Sequence, residues 1–335
     1  MIQSHEPSRM QANVAAKEHR PLATAAKRLL ASEYLVLGMC IVYFAVLAPL
    51  ADGFASVGNA RNILAAMLPL LIVAIGQTYV LISGGIDLSV TSTIALSSVV
   101  GAFTMAHTGP VAAAAGVGAM LLLGLLIGIF NGVLVAHAKM PPFILTLTVM
   151  MFVSGLAIWL TKSKNITGLP PAFTGIGRNV WLAFAVTGVI AWLAHVFLAR
   201  SLFGRWLYAV GHNARAASIS GVPTHAVITA AYVVSGACAS AASILMTGRL
   251  ETGSPVLGQR ILLDVIGATV VGGTSLFGGK GKVLWTIFGV LLITLIDNSL
   301  NLLGLSQFAI MMVKGAVILL AALLDSLRNK LVLSS

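Results

Sequence analysis

Charge is what this chain has least of. Only 9% of its 335 residues are Asp, Glu, Lys or Arg, where a soluble domain carries about a quarter. The shortage is not spread evenly. Residues 34–51, 62–86, 88–138, 140–161, 179–199, 216–248, 283–296 and 298–313 contain no charged side chain at all. A hydrocarbon core about 30 Å thick is crossed by roughly 20 apolar helical residues. A ladder of such stretches excludes an ordinary soluble fold.

Cysteine is almost absent. Cys40 and Cys238 both lie in apolar runs, with no CxxC or metal-ligand spacing, so they are expected to be small packing residues and not a disulfide. Signatures of catalysis are missing too. The closest string to a P-loop is TSLFGGKG at 274–281, with Thr274 where the motif needs Gly and Gly281 where it needs Ser or Thr. Its amides cannot form the phosphate cradle, so no nucleotide is expected on this chain. There is no HExxH or GxSxG, and the seven histidines are scattered at loops and span ends. No enzyme, cofactor or metal site follows from these residues.

What is present is hydrophobic: 58% of the residues. Backbone groups in lipid need internal partners, so a spanning chain is a helical bundle or a closed barrel. Barrel strands are short and alternating, whereas these runs are long and continuous. The expected fold is an all-α polytopic membrane protein. Ten spans are predicted, at roughly 34–50, 63–83, 89–106, 111–136, 143–161, 180–199, 226–247, 264–277, 283–303 and 307–325. The eighth is short and interrupted by Gly267, Gly272 and Gly273, and 83–90 reads as a break.

The net charge of +11 comes from 20 basic and 9 acidic residues. In a membrane protein this excess belongs in loops that meet anionic headgroups, not on nucleic acid. Thirteen of the basic residues fall on the side shared by both termini, six on the other, and Lys314 within the last span. The positive-inside rule then puts both termini in the cytoplasm. The chain divides into a polar tail over 1–32, a membrane domain over 33–327 and a short tail over 328–335. The first apolar run has no small-residue cleavage site after it and reads as an uncleaved span.

The loop over 200–225 is the longest on the cytoplasmic side. Ala214, Ala217, Ile219 and Ser220 fit a short helix ending at Gly221, with Pro223 beyond. It reads equally as a surface on which a partner pushes and as a solvated connector. Two Gly/Pro-rich external loops, 162–179 and 248–263, either receive an outside partner or simply link spans. GGIDL at 84–88 and GGTSL at 272–276 echo each other, and paired glycine breaks occur near the substrate path of transporters.

Two carboxylates fall among the spans. Asp87 is expected to accept N–H groups at the start of the next helix together with Ser89, at the cytoplasmic surface if Gly84 and Gly85 place it there. Asp297 shares a helix face with Asn301, has Asn298 beside it, and has Lys314 in the next span as a candidate partner. That group is either a bundle-stabilising cluster or a polar lining for a hydroxylated solute. Two acids and a lysine are sparse for a proton relay. Energy is therefore expected from another subunit, with an ion-coupled secondary transporter as the alternative.

VLISGGIDLSVTS at 80–92 resembles the GGIDLSVGS hallmark of the ribose-type permeases of bacterial ABC importers. The resemblance continues through NGVLV at 131–135, KMPPFILTLTVM at 139–150, FGRWLYAVGHNARAASISGV at 203–222, VVGGTSLFGGKGKV at 270–283, NSLNLLGLS at 298–306 and KGAVILLA at 314–321. It covers about residues 34 to 330. Thr91, Leu262 and Gly267 depart from the family pattern. The resemblance implies an inner-membrane subunit importing a monosaccharide or polyol, with a second permease subunit, cytoplasmic ATPase subunits that bind the ATP, and a periplasmic sugar-binding protein. It implies a coupling element at 203–222, carried by Gly204, Arg205, Gly211, Asn213, Ala216, Ala217 and Gly221. It places the translocation path at Gly84, Gly85, Asp87, Asn131, Gly272, Gly273, Asp297, Asn298 and Asn301.

Overall fold

The computed structural model of the chain describes residues 34–107 and 111–333; the tail expected over 1–32 lies outside the described residues. They form twelve α-helices: α1 Leu35–Leu47, α2 Val57–Ile82, α3 Val90–His107, α4 Ala112–Ala136, α5 Pro142–Thr161, α6 Pro171–Arg178, α7 Val180–Arg200, α8 Leu202–Ile219, α9 Thr224–Leu250, α10 Leu262–Val271, α11 Val283–Leu302 and α12 Gln307–Leu333. Only an isolated bridge between Ile166 and Gly253 departs from the all-helical pattern among the described residues. Six helices (α2, α4, α5, α7, α9 and α11) are long and apolar enough to cross a membrane, and α1, α3 and α12 carry shorter apolar stretches.

Local chemistry sets the helix ends. Ser56 caps α2 by accepting from Asn59 N–H, Asn179 caps α7 by accepting from Trp181 and Leu182, and Ser201 caps α8 by accepting from Gly204. Pro142 and Pro171 open α5 and α6, where a missing N–H costs nothing.

Three expectations are corrected. The predicted span 264–277 is the ten-residue α10, which stops at Gly272; Gly273 takes a φ of +106°, and a loop runs on to Lys282. The predicted short helix before Gly221 is the last part of a longer α8. The loop predicted over 162–179 contains α6, because Pro171 starts a helix that the glycines of 168–177 do not prevent. In addition, α12 continues as a helix to Leu333, past the predicted limit at 325.

α2 is the buried axis: every residue from Leu70 to Ile82 is enclosed. α9 lies along it and against α4. The α4–α9 seam is built from Gly124, Gly128 and Gly132, one per helical turn. A methyl group at Gly128 would sit 2.5 Å from Tyr232 O, and one at Gly132 2.7 Å from Thr229 Cα. This is the small-residue packing by which helices associate in lipid, where no hydrophobic force draws them together. α5 and α7 stand at the outside with large apolar side chains uncovered, among them Met151, Phe152, Trp159, Trp181 and Trp192. Apolar surface on that scale is unfavourable in water and matches a lipid-facing shell.

Candidate functional site

The sequence-predicted residues assemble at two levels, one near each end of α2. Asn59, early in α2, exchanges amide hydrogen bonds with Asn298 of α11 at 2.8 and 2.9 Å. Ile82, the last residue of α2, meets α8 and the 272–282 loop. About 23 residues of helix, or roughly 35 Å, separate the two levels.

At the α8 end the chain breaks after Ile82. Gly84 has a φ of +84°, and residues 83–89 run without helix into α3. Three helices hold this break. Tyr232 of α9 and Thr146 of α5 both donate to Ile86 O at 3.3 Å. Asp87 accepts from Ser89 N at 2.9 Å and Ser89 Oγ at 2.6 Å with one oxygen, and from Ser235 Oγ of α9 at 2.8 Å with the other. Asn131 of α4 donates to Ser89 Oγ at 2.8 Å. The expected Asp87–Ser89 link is present. The expected surface position for Asp87 is not: its carboxylate is buried, because Ser235 and the α9 wall close over it.

α8 comprises two helices. Asn213 is non-helical, with φ −160° and ψ 100°, and its Oδ1 caps the second piece by accepting from Ala216 N–H at 2.9 Å. The second piece ends in a reciprocal pair of bonds, Val222 N to Ala217 O and Gly221 N to Ser218 O, both 3.0 Å. Gly221 supplies the positive φ of +84° that this Schellman ending needs. Arg205, Asn213, Ala216 and Gly221 are exposed, Ala217 is buried, and Ile219 stands 83% exposed.

The glycines of the first piece face inward, toward this same chain. Gly204 lies against Leu198 O. Gly211 lies against Ile82 O and Gly279 N, the latter 2.5 Å from an added methyl position. Tyr208 donates to Gly281 O at 2.6 Å, and Gly279 N donates to Ile82 O at 2.9 Å. Burial pushes the Tyr208 hydroxyl above its ordinary pKa, so it remains a donor. A methyl on Gly278 would come within 3.0 Å of Gly84 Cα. Three backbones thus meet: α8, the 83–89 break and the 272–282 loop. The two glycine echoes do converge, but through Gly278 and Gly279. Gly272 and Gly273 instead pack against Trp285 of α11.

Beside the second piece of α8 lies a groove of about 500 Å³, lined by Lys139, Arg215, His225, Met140 and Pro141, among others. His225 stacks on His137 with centroids 4.8 Å apart, and its Nδ1 donates to Ala136 O at 2.6 Å.

At the other end, Lys314 of α12 binds Asp297 of α11 at 2.9 Å, as the sequence suggested, and also Asp264 of α10 at 2.9 Å. Asn301 donates to Asp297 Oδ2 at 3.3 Å, and Gln307 donates to Asn301 Oδ1 at 3.2 Å. Asn298 points away from this ladder, to Asn59. The Asp264 contact was missed because that residue sits at the edge of a short span and reads as loop. Tyr208, Ser235, Gly278 and Gly279 were also missed. Only the four-residue spacing of Gly124, Gly128 and Gly132 left a readable mark for the α4–α9 seam.

A helical bundle with six helices long and apolar enough to cross a membrane, glycine breaks and an exposed helical segment at one end is compatible with a transport component. The family model described as branched-chain amino acid transport system / permease component matches residues 59–322, and the chain belongs to that family. Among its relatives is the ribose import permease protein of Bacillus subtilis, 38% identical over 303 residues, covering 87% of this chain and 91% of the relative. The ribose import permease protein of Escherichia coli K12 is 36% identical over 294 residues, covering 85% and 91%. The xylose transport system permease protein of the same organism is 31% identical over 343 residues, covering 82% and 86%. No solved structure matches the chain. These relatives are transport components and not enzymes, and they lend nothing to the ion-coupled alternative.

Proposed function

We propose that this chain is the permease subunit of an ATP-driven importer for a monosaccharide or polyol of the ribose-like class. The relatives carry the substrate class, since the family description alone names a different solute. The chain sits in the bacterial inner membrane as ten spans with both termini cytoplasmic. It works with a second permease subunit, cytoplasmic ATPase subunits that bind the ATP, and a periplasmic sugar-binding protein.

One observation carries the mechanism: the first piece of α8 is fused by backbone contacts to both glycine breaks, while the second piece is exposed. A push from an ATPase on Ala216, Ile219 and Gly221 therefore reaches Ile82 and Gly279 through Gly211 without an intervening flexible side chain. Asn213 separates the part that is pushed from the part that transmits. The 83–89 break carries the movement to Asp87 and Asn131, and the 272–282 loop carries it to Gly272, Gly273 and α10. Asp297 and Asn301 line the outer approach with acceptors suited to sugar hydroxyls. ATP switches such a device only by binding one of its two states more tightly.

The test is reconstitution in vesicles with the ATPase and binding protein. ATP-dependent accumulation of a labelled pentose, absent without the ATPase, is the expected outcome. Accumulation by the permease alone on a proton or sodium gradient overturns the reading.

A further inference from the structure

Gln77 is wholly enclosed in α2, and neither its amide nitrogen nor its amide oxygen has a hydrogen-bond partner among the described residues. Buried polar groups are almost always paired, and an unpaired one destabilises the state that contains it. Its neighbours in α2 reach polar groups on two other helices. On one side, Gly76 abuts Ser235 of α9, with an added methyl 2.9 Å from Ser235 Cα, and Ser235 holds Asp87. On the other, Thr78 shares a 2.6 Å hydrogen bond with Thr286 of α11. At 3.6 residues per turn, Gln77 falls between those two sectors, opposite the side on which Tyr79 reaches Ala194 O of α7. Gln77 is thus flanked along α2 by a contact to Ser235, which holds Asp87, and by the Thr78–Thr286 pair; with Ser89 and Asn131 these side chains make up a polar layer around this part of α2. The layer also leaves Asn131 Oδ1 unpaired. It holds hydrogen-bonding capacity that the arrangement seen here does not use.

We propose that Gln77 is a positioning residue for the transport cycle: its amide is paired in another state, reached when the layer shifts, and unpaired in this one. The unpaired amide raises the energy of the present state and so favours the shift. The layer is placed to respond, because Ile82, five residues on in the same helix, is the residue on which α8 rests. The inference rests on the transport function proposed above.

The experiment replaces the amide by apolar groups of similar size, Gln77→Met and Gln77→Leu, with Gln77→Asn as the conservative variant. Removing an unpaired amide stabilises the present state, so the melting temperature of the permease in lipid nanodiscs rises by about 2 °C or more in the apolar variants. Over the same substitutions, ATP-driven uptake by the reconstituted importer falls about tenfold, and Gln77→Asn retains most of it. A lower melting temperature in both apolar variants overturns the proposal, since it means that the amide was paired here. So does a higher melting temperature with unchanged uptake. If the wild-type importer shows no ATP-driven uptake, the transport function fails instead, and the melting temperatures alone decide whether Gln77 is unpaired in this state.

Discussion

Gly211 of α8 rests directly on the carbonyl of Ile82, the last residue of the most buried helix in the molecule. There is no room between them for a methyl group, and Gly279 closes the other side. The first piece of α8 is thereby packed on the core through backbone, while the piece beyond Asn213 stands exposed.

The first prediction concerns that contact. In Gly211→Ala the new Cβ meets backbone on two sides, and backbone cannot rotate away as a side chain can. Overpacking of this kind costs about 1–3 kcal/mol. The expected result is a lower melting temperature together with ATP hydrolysis that no longer drives uptake. Gly221→Ala behaves differently. Its site is open, with nothing within 4 Å, so only the positive φ is strained, at about 1 kcal/mol. Hydrolysis and uptake measured side by side decide the matter: equal effects of the two substitutions would show that the Ile82 contact transmits nothing.

Tyr208 offers a milder handle on the same junction. Tyr208→Phe deletes the 2.6 Å bond to Gly281 O and costs about 1 kcal/mol, loosening the 272–282 loop from α8 while keeping the ring. Because burial raises the hydroxyl above its ordinary value of 10, the unfolded chain ionises first. This group therefore leaves stability level below pH 10 and lowers it as pH rises above 10. Thermal melts from pH 7 to 11 should show the decline in the wild type and a weaker one in Tyr208→Phe. Identical profiles would remove Tyr208 from the junction.

The Asp87 site yields a third prediction. The carboxylate accepts three hydrogen bonds from Ser89 and Ser235. Asp87→Ala orphans all three donors inside the bundle, at about 1–3 kcal/mol for each buried group. Asp87→Asn keeps one oxygen for Ser89, and the Ser235 hydroxyl can turn to accept from the new amide. Folded yield in membranes should therefore fall sharply for Ala and little for Asn. A similar yield for both variants means the carboxylate is not what holds the 83–89 break.

The contrast between Asp87 and its partners shows what a sequence can carry. The Asp87–Ser89 link spans two residues and obeys a local rule, so it was legible. Ser235 is far along the chain, and no periodicity links it to the break. The family resemblance marked Gly211 as part of the 203–222 element, but a glycine does not say which backbone lies against it; here it is the chain's own α2, at Ile82. The hydrophobic ladder located the long helices because the bilayer imposes one length on all of them. It failed at α10, where two glycines end a span halfway, and at α6, where prolines and glycines concealed a helix. Fold class was thus written in composition, whereas the junction was written in tertiary contacts between residues that each look ordinary.

The charged cluster at the far end supplies the last prediction. Lys314 is the one described cation bound to both Asp264 and Asp297. Lys314 and Asp264 are largely buried, whereas the Asp297 side chain is 41% exposed and partly screened by solvent, so loss of the shared cation leaves an uncompensated charge chiefly at Asp264 and costs less than the roughly 3–5 kcal/mol of a fully buried pair. Lys314→Met leaves two carboxylates facing each other with no cation, so the C-terminal helices α10, α11 and α12 should separate and the folded fraction in membranes should drop. Neutralising the acids as well, with Asp264→Asn and Asp297→Asn, removes the repulsion and should restore folding. Uptake then separates structure from transport. If the triple variant folds and transports like the wild type, the cluster only holds helices together. If it folds but carries sugar poorly, Asp297 and its neighbour Asn301 are contacts on the outer approach to the path. Normal folding of the single Lys314→Met variant would show that the cluster contributes little to stability.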